Sequence, residues 1–121
     1  MNRSIFLLAL VMLLGASPIP ARAGKPATLR SPEPGVLCDR YMCANDKGVS
    51  RDLTEKYLGK QAANRIFSQG EFDPTEFTFA NGIFCDVKER LCRTDRYYQN
   101  GRRSAVSSQY TRLLFLRHPI Q

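Results

Sequence analysis

The chain has 121 residues, a formal net charge of +7, four cysteines, one histidine and no tryptophan. That length leaves room for one small domain and excludes a second hydrophobic core. The single histidine, His118, sits beside Pro119 at the C-terminal end, so a histidine-built catalytic or metal centre inside the domain is excluded as well.

In chain order, the first signal is a leader. Arg3 supplies a positive start, Ile5 to Leu14 (IFLLALVMLL) an apolar run, and Ala21-Arg22-Ala23 a small-residue cleavage site. The apolar run is shorter than the roughly 20 residues that span a bilayer, which argues for a cleaved signal peptide over residues 1–23 and against a membrane anchor. The mature chain is then expected to start at Gly24, in the periplasm or outside the cell. No cysteine follows the apolar run closely, as a lipid anchor would require.

Residues 24–36 (GKPATLRSPEPGV) hold three prolines and almost no large apolar side chains, the composition of an extended arm. Folding is expected to begin near Val36, with one domain over residues 37–117 and a tail over residues 118–121. In that domain GVLCDRYMC, residues 35–43, recurs in altered form as GIFCDVKERLC, residues 82–92. Both cysteine gaps are even, which lets Cys38 face Cys43, and Cys85 face Cys92, across antiparallel hairpins. Four cysteines in an exported chain of this size argue for two disulfides. Zinc fits less well, because structural zinc sites pair ligands over gaps of two to four residues and the second gap here is six.

After the first cassette, Asn45 to Gly48 is turn composition and Ser50 a helix N-cap, with Asp52 and Glu55 near the positive end of the helix dipole. Leu53, Tyr57 and Leu58, then Ala62, Ile66 and Phe67, share one helical face. Gly59 is expected to split this stretch into two helices and Gly70 to end the second. The period then shifts to two at Phe77 and Phe79, Asn81-Gly82 marks a turn, and Ile83 to Asp86 enters the second cassette. Leu91 to Tyr98 is expected to return as one strand. Beyond the Asn100-Gly101 turn, Tyr110, Leu113 and Leu114 fit a helix. The expected fold is α+β: a small disulfide-stapled domain of β-hairpins and short helices, arranged as two related hairpin-helix units.

Catalytic chemistry is thin. No Gly-rich phosphate loop or metal-ligand helix motif is present, and no cofactor is expected. Asp39 and Asp86, equivalent in the two cassettes, could form a glycosidase-type carboxylate pair. An Asp directly after Cys at a hairpin turn more simply accepts backbone hydrogen bonds. The expectation is a non-enzymatic protein.

Charge is more informative. Residues 24–87 carry eight basic and nine acidic side chains, whereas residues 88–121 carry eight basic ones against only Glu89 and Asp95. Seven of those eight are arginine, interleaved with Tyr97 and Tyr98. Arginine grips phosphate and carboxylate bidentately and stacks on aromatic rings, so Arg93, Arg96, Arg102 and Arg103 are the candidate anion-binding residues. The plainer reading is a solvated basic face. The partner class is an anionic envelope component or an acidic protein, with nucleic acid less favoured. A rival function is inhibition of a cell-wall hydrolase or another envelope enzyme, through the acidic stretch Glu71 to Glu76.

The series GVLCDRYMCANDKGVS, LTEKYLG, SQGEFDPTEFTFANGIFCDVKERLCRTDRYY and NGRRS resembles the YcgJ or Fels-prophage-protein-like family of small exported bacterial proteins, over roughly residues 31–116. FTFANGIFCD is its most specific run. The resemblance implies a periplasmic or secreted location and a disulfide role for Cys38, Cys43, Cys85 and Cys92. It brings no catalytic residue.

Overall fold

The computed structural model describes residues 28–116. The leader, the cleavage point before Gly24, Arg117, His118 and the rest of the tail lie outside the described residues. The domain contains two three-stranded antiparallel sheets, a two-stranded ribbon and three helices.

The first sheet is β1 (Leu37–Cys38), β2 (Cys43–Asn45) and β3 (Gly48–Val49), followed by α1 (Arg51–Leu58) and α2 (Lys60–Phe67). The second is β4 (Glu76–Thr78), β5 (Phe84–Asp86) and β6 (Leu91–Arg93). The ribbon, β7 (Tyr98–Gln99) with β8 (Arg102–Arg103), precedes α3 (Ser108–Phe115). Cys38 pairs in register with Cys43 and Cys85 with Cys92, and each pair is joined by a disulfide across Cα separations of 4.1 and 4.0 Å. The even gaps are realised as sequence geometry requires: Asp39 N–H donates to the Met42 carbonyl around a tight tip, and the longer second tip places Arg90 at φ 57°.

The two units share more than their staples. Arg30 bridges Cys38 as Phe77 pairs with Cys85, at the same offset along the chain. Ser50 caps α1 by accepting from Leu53 N–H, and Ser107 caps α3 by accepting from Tyr110 N–H. The N–H groups of these caps donate to the carbonyls of Cys43 and Cys92, at 2.9 and 2.8 Å. Four residues into the capping motif, buried Thr54 and Thr111 repeat a further contact. The Thr54 hydroxyl accepts from Cys43 N–H at 3.0 Å and donates to its carbonyl at 3.4 Å; Thr111 does the same for Cys92 at 2.9 and 3.2 Å. In both units one hydroxyl locks the helix onto the second cysteine of the staple, satisfying backbone groups that burial would otherwise leave costly.

Leu37, Phe77, Phe79, Leu114 and Phe115 form the main core, with Leu29 and Tyr110 at its edge. A smaller cluster wraps the first disulfide, where Leu53, Tyr57 and Leu58 of α1 cover Val36, Cys38 and Cys43. Gly59, at φ 103°, ends α1 and begins α2. On α3 the buried row is Tyr110, Thr111, Leu114 and Phe115, whereas Leu113 is 38% exposed. The helix expected at Tyr110, Leu113 and Leu114 is present, with Leu113 on its outer side. Two i,i+4 pairs, 110/114 and 111/115, form the apolar stripe, and position 113 lies off it.

The extended arm packs onto the domain, and the fold begins before Val36, its expected start. Leu29 is buried, and Arg30 exchanges two backbone hydrogen bonds with Cys38, at 3.0 and 2.8 Å, so the fold includes residues well before Val36. An unpaired edge at β1 would waste those backbone groups, and the arm supplies their partners. Its second anchor is Glu33, whose carboxylate accepts from the Tyr57 hydroxyl at 2.5 Å and lies 3.5 Å from Lys56. The Tyr57 hydrogen bond, helped by Lys56, holds the Glu33 carboxyl below its usual range. A carboxylate with a depressed folded pKa stabilises above its unfolded pKa and loses that contribution as pH falls through the folded value. Acidification below the ordinary carboxylate range should therefore loosen the arm before the disulfide core, seen as faster hydrogen exchange at Val36, whose N–H donates to the Glu33 carbonyl. In Glu33→Gln this pH dependence should vanish; an unchanged acid response would assign it to another group.

Candidate anion-binding ribbon

The basic third of the chain is built on an extension of the second unit. In the first unit, β2 and β3 pair through Ala44↔Val49 and Asn45↔Gly48 around a short tip. At the matching place in the second unit Arg93 bridges Val106, and Thr94 N–H donates to the Ala105 carbonyl at 2.9 Å. From there the chain continues outward instead of turning. Asp95 and Ser104 interrupt the ladder: the Ser104 hydroxyl accepts from Asp95 N–H and donates to the Asp95 carbonyl. Beyond this knot Tyr98 pairs with Arg103 and Gln99 with Arg102. Asn100 and Gly101, at φ 55° and 77°, close the tip with the paired positive φ values of a type I′ turn.

The expected single return strand from Leu91 to Tyr98 is thus two strands in two sheets. Asp95 accepts from Tyr97 N–H, and this local turn competes with the ladder where a continuous strand would need free N–H groups.

The four candidate arginines divide into two classes. Arg93 is a strut: its side chain is only 15% exposed, lies 3.6 Å from Glu89, and donates to the Ser104 carbonyl at 2.8 Å. Arg103 is its partner, reaching Glu89 at 3.2 Å and lying over the Tyr98 and Phe84 rings. One carboxylate thus contacts both arginines, leaving the trio with a net positive charge, and ties the ribbon to the second sheet. Arg96 and Arg102 are exposed and form no ion pair among the described residues, although Arg96 stacks over Tyr97 at 5.5 Å. Tyr97 and Tyr98 are 63% and 62% exposed, an unusual expenditure of aromatic surface for a small domain. Thr94, Asp95, Tyr97, Gln99, Asn100 and Arg102 surround a shallow polar hollow of about 450 Å³ on the ribbon.

The remaining basic residues shrink the apparent charge further. Lys88 lies near Asp73 and Glu76, and Arg90 near Asp46 while it donates to the Phe115 carbonyl. Arg112 is exposed on α3. The sequence count of eight positive charges therefore overstates the free field: Arg96, Arg102 and Arg112 form no ion pair among the described residues, and Arg93 and Arg103 share the single charge of Glu89.

Asp39 and Asp86 behave alike. Asp39 accepts from the N–H groups of Tyr41 and Met42, and Asp86 from those of Lys88 and Glu89, the hairpin-turn arrangement. Asp39 adds a bond that Asp86 lacks: its second oxygen accepts from Ala80 N–H at 2.6 Å, tying the first hairpin to the turn between β4 and β5. Sequence reasoning missed this link, for which no local signal exists. Among the described residues no group of three His, Cys, Asp or Glu side chains could hold a metal, and no helix is long and apolar enough to cross a membrane.

The YcgJ protein family profile matches residues 29–115, from the buried start of the arm to the end of α3. The chain belongs to the YcgJ family. It is 53% identical over 90 residues to "Uncharacterized protein YcgJ" of Escherichia coli (strain K12), covering 73% of this chain and 74% of that protein. No solved structure matches. The boundaries of the YcgJ match agree with the fold, since among the described residues Leu29 is the first buried one and Phe115 the last.

Proposed function

We propose that this YcgJ-family protein is an exported, non-enzymatic binding module that holds an anionic partner on the β7–β8 ribbon. The observation carrying this reading is the ribbon itself: a hairpin where Arg96 and Arg102 are exposed and form no ion pair among the described residues, and where Tyr97 and Tyr98 are exposed as well. Two disulfides fit an oxidising compartment, and the leader-like segment fits export. An anion such as phosphate or carboxylate would meet guanidinium donors and tyrosine faces together. A partner in the envelope, such as an anionic glycolipid or acidic glycan, has that chemistry.

The test is a salt titration of binding to lipopolysaccharide and to single-stranded DNA. With Arg96 and Arg102 as the two contacts, log affinity for single-stranded DNA should fall by about 1.4 per log unit of salt. Arg96→Glu with Arg102→Glu should abolish binding and leave unfolding unchanged. Arg93 and Arg103 are unsuitable for that test, because their replacement would leave Glu89 beside new carboxylates. Absence of binding at low salt, or equal binding by the double variant, would return the ribbon to a solvated basic surface.

A further inference from the structure

A second feature lies away from the ribbon, at the junction of the two units. Leu29, Leu58 and Ala80 line a groove of about 550 Å³ that is mostly apolar, with Arg30 and Arg40 at its edges and Asp39 in its wall. That volume is in the range of about 300 to 1,000 Å³ typical of small-molecule sites. The Asp39 carboxylate is already held by three backbone N–H groups, those of Tyr41, Met42 and Ala80, at 2.7, 2.9 and 2.6 Å. Neither arginine forms an ion pair among the described residues, and Arg40 meets only the Tyr41 ring, at 5.7 Å. Two arginines thus line the same groove as one carboxylate that already accepts three backbone hydrogen bonds, beside apolar walls.

We infer that this inter-unit groove binds a small amphipathic anion, an apolar chain or ring ending in one carboxylate or phosphate, with the apolar body against Leu29, Leu58 and Ala80 and the anionic end on Arg30 and Arg40. Charge complementarity selects this occupant. A neutral apolar ligand would leave both arginines to water, and a small inorganic anion would leave the apolar walls uncovered. The groove has walls from both units, so occupancy would also brace the Asp39–Ala80 link.

The experiment is an NMR titration of the oxidised protein with decanoate below its micelle concentration, with decanol, acetate and decyl phosphate in parallel. Decanoate should bind saturably, shifting the amides of Leu29, Leu58 and Ala80 and not those of Tyr97 to Arg102. Decanol and acetate should each bind on the order of tenfold more weakly or worse, since each keeps only half of the recognition. Arg30→Gln with Arg40→Gln should cost a similar factor; Arg40→Gln alone, at the exposed turn tip, serves if the double exchange disturbs the arm. Decyl phosphate separates the sources of the anion: weaker binding than decanoate indicates a fatty-acid type of ligand, equal or tighter binding a phospholipid-derived one. Decanol matching decanoate, shifts confined to the ribbon, insensitivity to the arginine exchanges, or no saturable binding would each overturn the assignment. The ribbon variant Arg96→Glu with Arg102→Glu should bind decanoate normally, which keeps this site independent of the proposed function.

Discussion

Gly48→Ala should destabilise the protein by about 2 to 4 kcal/mol, combining backbone strain with a lost hydrogen bond. Gly48 opens β3 at φ +124°, and an added Cβ would stand 2.4 Å from the carbonyl oxygen of Pro74. That oxygen cannot move cheaply. It accepts from Val49 N–H at 2.9 Å, and the chain around it is fixed by Asp73, whose carboxylate accepts from both the N–H and the hydroxyl of Thr75. The close approach is the seam by which the first sheet touches the segment leading into β4. Gly59→Ala provides the comparison, because Gly59 has φ +103° but open space around it. Urea midpoints should show a clearly larger loss at Gly48 than at Gly59, the difference measuring the contact with Pro74. Equal losses would mean that backbone conformation alone matters and that the seam yields freely.

Thr54→Val and Thr111→Val should each cost about 1 to 3 kcal/mol, although valine fills nearly the same volume. The carbonyls of Cys43 and Cys92 keep a partner after either exchange, from Ser50 and Ser107. Their N–H groups do not: each donates to the threonine hydroxyl and would be left buried against a methyl group. The asymmetry between losing both members of a bond and orphaning one predicts a real penalty. The two sites lie in different units, so the double variant should show the sum of the single effects to within about 0.5 kcal/mol. Hydrogen exchange at Cys43 and Cys92 reads the local effect directly. Unchanged stability would mean that water or a backbone shift satisfies these donors, and the shared lock would lose its energetic meaning.

The local features were legible in the sequence. Even cysteine gaps, Ser50 as a cap, Gly59 as a helix break and the Asn100-Gly101 turn all act through neighbours along the chain, where spacing and φ preference decide the outcome. The common plan of the two cassettes was legible too, though not its depth: the threonine lock lies outside the cassette itself, and a threonine within a helix looks like any other surface residue. What escaped depends on distant contacts. Leu29 and Arg30 read as linker because Pro-rich composition says nothing of an edge strand waiting for a partner. Arg93 and Arg103 read as free charge because nothing local announces that both will converge on Glu89. Leu91 to Tyr98 read as one strand although Asp95 forms a local turn with Tyr97, and the Ser104 contacts that complete the break come from the returning strand.

The ribbon's position as an outgrowth of a hairpin whose counterpart stays short has an evolutionary consequence. Its base is closed by the Arg93↔Val106 bridge, and most of its outer residues are exposed. Closing a longer loop on a fixed base adds only slowly to the entropic cost of folding. Sequence change at the exposed positions Arg96 to Arg102 can therefore alter reach, charge and aromatic content while Arg103, held by Glu89, keeps the ribbon fixed to the stapled units. Surface chemistry can thus vary at the tip while the packed units and the Arg103 anchor set its position.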